Sequence, residues 1–158
     1  MDIRDLTDAD AEAVLALNEQ SVLSLSPMDA TDLARFRNLT PHALVCEVDG
    51  RIAAFAIAYA PGTAYDSPNY LWHADRFEDF LYLDRIAVSS EYRRRGIASA
   101  LYDAMEELAA SHGRMVCEIY SEPRNDVSIA FHENRGYREV GHLMQSNGKQ
   151  TVMMEKPL

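Results

Sequence analysis

Arg93, Arg94 and Arg95 run directly into Gly96, in the stretch "EYRRRGIASA" at residues 91–100. Three guanidinium groups beside a glycine can grip phosphate. An arginine donates charge-assisted hydrogen bonds to phosphate oxygens. A glycine lets an anion approach the backbone with no Cβ in the way. Apolar residues at Ile97, Leu101, Met105 and Leu108 then repeat at helical spacing, so the glycine stands at the mouth of a helix over residues 96–112. The first N–H groups of a helix lack internal partners, and its dipole places partial positive charge there. The stretch therefore has the chemistry of a diphosphate cradle. The triphosphate pattern Gly-x-x-x-x-Gly-Lys-Ser/Thr and the dinucleotide pattern Gly-x-Gly-x-x-Gly are both absent.

The elements that must position this cradle can be read along the chain. "DIRDL" is a short strand, and Thr7 or Asp8 caps a helix running to about Leu23 with Ala11, Val14, Leu15 and Leu17 on its apolar side. A second helix covers about Asp29–Arg37 and ends before Pro41. "ALVCEV", Asp49-Gly50 and "RIAAFAIAYA" form a hairpin, because Asp-Gly supplies the positive φ angles of a tight turn. Residues 61–79 read as a long loop, and "FLYLDRIAV" is the strand that leads into the arginines. After the 96–112 helix come the strand "MVCEIY" and a helix over about Asp126–Arg135. Strands at Tyr137–Leu143 and Lys149–Glu155 then turn through Asn147-Gly148. Hairpins followed by strand–helix–strand units predict a mixed α/β fold with helices on both faces of one sheet, in a single domain spanning 1–158.

The chain has 158 residues, 15 basic against 25 acidic, and a formal charge of −10. That balance argues against a general nucleic-acid binder, since a polyanion is repelled by most of the surface. Cys46 and Cys117 sit singly in apolar runs, as free thiols do in a reducing compartment, and no metal site is suggested. The N-terminus carries carboxylates where a signal peptide carries lysines, and "IAAFAIAYA" is too short to span a membrane. A cytoplasmic protein without membrane contact is expected.

"RRRGIA" is similar to the Arg/Gln-x-x-Gly-x-Gly/Ala signature of the Gcn5-related N-acetyltransferase (GNAT) superfamily, at Arg93, Gly96 and Ala98. It lies, as in that family, between a strand ending "LDRIAV" and an amphipathic helix. Downstream, "NDVSIAFHENRGYREVG" resembles the second motif of the family. The resemblance implies a six- to seven-stranded mixed sheet split between its fourth and fifth strands, with acetyl-CoA as cosubstrate in the cleft. It implies that backbone groups of Ile86, Ala87 and Val88 hold the pantetheine and acetyl end. Amides of Arg94, Arg95, Gly96, Ile97, Ala98 and Ser99 take the pyrophosphate, with help from the arginine side chains, Arg93 included. Asn125 and Ser128 bond the arm from the other side, and Phe131 packs against it.

Acetyl transfer to an amine needs a neutral amine, a polarised thioester carbonyl and a proton for the departing thiolate. Asp84 is the first candidate base, on the expectation that it shares a strand face with Tyr82, Ile86 and Val88. Some family members carry their acid two residues earlier, where this chain has Tyr82. Glu118, on the neighbouring strand, could bind the amine or relay its proton. For the acid, the resemblance points to the place after Phe131, where the family most often has Tyr and this chain has His132. An imidazole titrates near neutrality and can protonate a thiolate. Tyr120 and Tyr137 are nearby alternatives, although Tyr137 fits the core better.

The acids and aromatics of "YDSPNYLWHADRFEDF", with His73 and Trp72, suit a lid over a cationic acceptor. His42 and His142 show no ligand spacing and receive no role, and Met144, Met153 and Met154 read as terminal strand packing or a subunit interface. Transfer of acetyl to a small cationic or amino-acid-like amine is the leading expectation. A protein N-terminus or lysine is the rival acceptor, and a non-catalytic acyl-CoA sensor is the alternative from another class. A homodimer is the prior for the assembly.

Overall fold

The computed structural model describes residues 1–158, which form one seven-stranded sheet with five α-helices on its two faces. The strands are β1 (Asp2–Asp5), β2 (Ala43–Val48), β3 (Arg51–Tyr59), β4 (Leu81–Val88), β5 (Arg114–Glu122), β6 (Arg138–Met144) and β7 (Gln150–Pro157), in spatial order β1-β2-β3-β4-β5-β7-β6. The helices are α1 (Ala11–Gln20), α2 (Ala30–Leu39), α3 (Pro68–Ala74), α4 (Ile97–Ala109) and α5 (Asp126–Asn134). Only the β4–β5 junction is parallel, as a crossover through a helix requires.

Local chemistry sets the boundaries. Asp49 and Gly50 both adopt positive φ, 51° and 76°, and close the β2–β3 hairpin. Asp29 accepts from the Asp32 amide at 2.8 Å while Asp32 accepts from the Asp29 amide at 3.1 Å, a reciprocal cap that starts α2. Helix α1 ends at Gln20, short of the Leu23 that periodicity suggested, and Leu23 is 86% exposed. The expected loop at 61–79 contains a helix. Ser67 and Pro68 open α3, which buries Tyr70 and His73. On α4, Ile97, Leu101 and Met105 are buried, but Leu108 is exposed and Tyr102 takes part in the core instead.

Two apolar layers flank the sheet. One packs α4 (Ile97, Leu101, Tyr102, Met105) against Leu81, Leu83 and Cys117. The other packs α1 and α2 (Val14, Leu17, Leu33, Phe36) against Phe55, Ile57, Tyr82 and Ala87. Met153 and Met154 are buried, whereas Met144 is exposed on the edge strand β6.

Strand β4 does not keep a single alternation. Ile57 pairs with Arg85 and Ala58 with Leu83, so Asp84 is an extra residue with no partner on β3, a β-bulge. Tyr82 therefore lies in the α1–α2 layer, while Ile86 and Val88 pack on the α4 layer. The expected common face of Tyr82, Asp84, Ile86 and Val88 does not exist, because the bulge shifts the phase of the strand between them.

Candidate active site

Strands β4 and β5 are joined by only two residue pairs, Leu81 with Met115 and Tyr82 with Val116. Beyond them the strands diverge. Residues 83–88 pair with β3 on one side and have no strand on the other. A cleft of about 350 Å³ opens in this gap. Its walls are Leu83–Ile86 of β4 and Cys117–Tyr120 of β5, with Asn125 and Ser128 from α5, Tyr102 from α4 and Ser24–Ser26 from the α1–α2 connection.

At one end of β4, Gly96 adopts φ 77° and precedes the first turn of α4. A Cβ added there would meet nothing within 4 Å, so the space over this amide is open. Arg94 also has positive φ, 59°. The first bond into the helix runs from the Ala100 amide to Gly96 O at 3.0 Å, which leaves the amides of Ile97, Ala98 and Ser99 free to bind an anion. Arg93, Arg94 and Arg95 are exposed and make no ion pair, unusual in so acidic a chain. Arg95 rests over the Tyr92 ring at 5.3 Å. Backbone and side chains here fit the two phosphates of a coenzyme A.

Two carboxylates meet in the cleft. Tyr82 Oη lies 3.1 Å from Asp84 Oδ1 and 2.8 Å from Glu118 Oε1, and Tyr65 Oη donates to Asp84 Oδ2 at 2.9 Å. Asn69 Nδ2 donates to Glu118 Oε1 at 3.0 Å and is itself tied to Gln145 at 2.8 Å. One phenol proton cannot serve two carboxylates, so the pair retains a proton of its own. Burial, with the Asp84 charge beside it, raises Glu118 to about 8. Burial also raises Asp84, but Arg85 and the hydroxyls of Tyr65 and Tyr82 oppose that rise. The shared proton accordingly sits on Glu118.

His132 is buried. Nδ1 lies 2.6 Å from Ser128 O, which can only accept, so Nδ1 carries the proton. Nε2 must then accept, and it takes the Tyr102 hydroxyl at 2.6 Å. Burial keeps the ring neutral by pushing its pKa down. Tyr102 faces the cleft and His132 stands behind it. Nothing in the spacing of α4 marked Tyr102, since it occupies an ordinary core position of an amphipathic helix.

The remaining candidates separate. Ile86 borders the cleft, the Ala87 side chain is buried in the α1–α2 layer, and Val88 packs toward α4. Asn125 caps α5, its Oδ1 accepting from the Ser128 amide at 3.2 Å, and both residues line the cleft. Phe131 packs edge-on against Tyr102 with ring centroids 5.1 Å apart, outside the cleft wall. Tyr137 is buried, its hydroxyl donating to Glu106. His73 is wholly buried and neutral, with a pKa lowered to about 4 by burial, so it packs the core under α3 instead of facing an acceptor. Trp72 lies directly over Gly141 of β6, and with the Asn69–Gln145 bond it ties α3 across the cleft mouth. Tyr65 and Asn69 come from the stretch read as a lid and Tyr82 from the place where some family members carry their acid, whereas Gln145 and Arg85 line the cleft with no signal in motif spacing.

Residues 8–137 match the acetyltransferase (GNAT) family. Phosphinothricin N-acetyltransferase of Streptomyces viridochromogenes is 31% identical over 119 residues, which cover 75% of this chain and 58% of that protein. The chain thus matches less than two thirds of that relative's length. Among solved structures, ribosomal-protein-alanine N-acetyltransferase from Brucella melitensis has a TM-score of 0.76 at 24% identity, covering 100% of both chains. Naa20 of Chaetomium thermophilum, in complex with a bisubstrate analogue, has a TM-score of 0.80 at 17% identity, covering 100% of this chain and 87% of its own. Both share the split mixed-sheet fold.

Proposed function

The chain belongs to the acetyltransferase (GNAT) family, and we propose that it moves the acetyl group of acetyl-CoA to a primary amine of a small acceptor. One observation carries the reading. The unpaired edge of β4 runs from an open, arginine-flanked helix mouth at Gly96 to the paired carboxylates Asp84 and Glu118. That course provides a phosphate site at one end and an ammonium site at the other, with a strand edge between them for the pantetheine arm.

In the reaction, the amine nitrogen bonds the acetyl carbon, the carbon–sulfur bond breaks, one proton leaves the amine and one joins the thiolate. A lysine-like amine has a pKa near 10.4, so freeing it at pH 7 costs about 4.6 kcal/mol. The Asp84–Glu118 pair draws in the ammonium and takes its proton. With Glu118 already holding the shared proton, the carboxylate that accepts the amine's proton is Asp84, whose affinity for a proton burial has raised. At the other side of the cleft, the Tyr102 hydroxyl, held by His132 Nε2 in the resting site, gives its proton to the departing thiolate, and the phenolate left behind regains a proton from water. This reading makes His132 the group that orients the Tyr102 hydroxyl and moves the contact with the thiolate to Tyr102. Amides on the free edge of β4 at residues 86–88 orient the thioester. Holding the reactants in line contributes roughly 7–11 kcal/mol, more than either proton transfer.

A thiol-release assay with acetyl-CoA over amines, amino acids, polyamines and peptides bearing a free N-terminus tests the proposal. Release with small amines exceeding that with peptides is expected. Release only with peptides would favour an N-terminal acceptor, and a CoA-induced melting shift with no release for any amine would leave a sensor.

A further inference from the structure

Two buried polar atoms border the same cleft without a hydrogen bond, Arg85 Nε, whose ion pair with Asp84 is long at 3.5 Å, and Glu118 Oε2. The Arg85 side chain is only 8% exposed, and its position is fixed from the far side. Nη1 donates to Asn18 Oδ1 at 2.9 Å and to Ser26 O at 2.6 Å, and Asn18 Nδ2 also donates to Ser26 O, at 3.0 Å. These bonds occupy one end of the guanidinium. The opposite edge, Nε with Nη2, makes no hydrogen bond, and Asp84 Oδ2 stops 3.5 Å short of Nε. Leaving a buried charged donor unbonded costs more than a neutral one, and the side-on edge of arginine matches a carboxylate in two parallel bonds.

Resting on the acetyl-transfer reading above, we infer that the acceptor is a free α-amino acid, its carboxylate held by the Nε–Nη2 edge of Arg85 and its amine turned to Glu118 Oε2 and Asp84. In an α-amino acid the two charged groups stand one carbon apart, and the protein's complementary charges stand 3.5 Å apart at Arg85 and Asp84. A zwitterion satisfies both orphan groups and adds no net charge to the cleft. A simple cationic amine leaves Arg85 unbonded and adds a positive charge beside it. A peptide N-terminus offers a neutral amide carbonyl where the carboxylate is needed. The site thus selects through Arg85, a residue with no counterpart among the proton-transfer groups.

The test uses matched acceptors on the full chain: an α-amino acid such as methionine, its carboxamide and its decarboxylated amine. Each is followed by thiol release from acetyl-CoA and by thermal shift in the presence of CoA. At least a tenfold preference in kcat/KM for the free acid is expected, carried mainly in KM, and Arg85→Met should bring the ratio near one. Equal rates for acid and decarboxylated amine in the native chain overturn the inference while leaving acetyl transfer intact. That comparison needs no variant, so a poorly folding Arg85→Met does not blunt it. If no acceptor releases thiol, the acetyl-transfer reading fails. The thermal shift then decides the inference alone: stabilisation by the amino acid and not by its amine supports it, and equal or absent shifts refute it.

Discussion

Replacing Glu118 with Gln tests the electrostatics of the cleft directly. Gln keeps an oxygen to accept from Tyr82 and Asn69, and removes only the titrating group. In the native chain Glu118 titrates near 8, against an ordinary value of 4.5. Between those values the folded chain binds a proton that the unfolded chain has released, so stability falls as pH rises through the window. Below pH 4.5 both forms are protonated and the penalty vanishes; above pH 8 it is complete. The gap between 4.5 and about 8 sets a ceiling on the order of 5 kcal/mol. Water entering the cleft reduces this to roughly 2 kcal/mol, which for a chain of this size is about 4–8 °C in Tm. Melting curves of both proteins from pH 5 to 8.5 supply the measurement. The advantage of Glu118→Gln should be small at pH 5 and grow by that amount at pH 8.5. Groups remote from the cleft are the same in both proteins and cancel in the difference, so what remains belongs to the Asp84–Glu118 pair. A difference that stays flat with pH would refute the claim that Glu118 stores the shared proton.

Gly96→Glu should abolish the rise in Tm caused by CoA, since a carboxylate would project into the open space over the helix mouth and repel phosphate; an unchanged shift places the diphosphate elsewhere. Tyr102→Phe should lower kcat ten- to a thousandfold with little change in CoA affinity, and adding His132→Gln should lower it no further. Multiplying losses would show that the two do not act in series. Gly141→Ala puts a Cβ 2.5 Å from Trp72 Cζ2, so the ring and α3 must move. A loss of about 1–3 kcal/mol is expected by thermal melting, and a native Tm would show that α3 is not held against β6.

Most of the framework was legible because its signals are local. Asp49-Gly50 fixed a hairpin, apolar spacing fixed α4, and Gly96 stood at the start of that helix as its place in the sequence predicts. The resemblance of two motifs then located the split of the sheet at its fourth and fifth strands, where the structure has it. Alternation failed at Asp84, because a bulge is decided by pairing with β3 and leaves no mark in the strand's own residue types. Helix α3 was hidden by its shortness and by Ser67-Pro68, which reads equally as a turn. Glu118 and Asp84 were candidates singly. Their coupling through Tyr82 is a contact between residues 36 positions apart, beyond any periodicity. His132 was placed correctly on α5, yet its partner Tyr102 lies 30 residues upstream and only packing brings them together.

The two-pair seam between β4 and β5 has a mechanical meaning. An unbroken sheet transmits strain evenly through its ladder, whereas this one is zipped at one end and unzipped at the other. Whatever lies between residues 83–88 and 117–120 becomes the missing teeth of the zipper. Under the proposed acetyl transfer, departure of the coenzyme leaves two half-sheets free to splay about Tyr82 and Val116, and the deuterium uptake of residues 83–88 gauges occupancy.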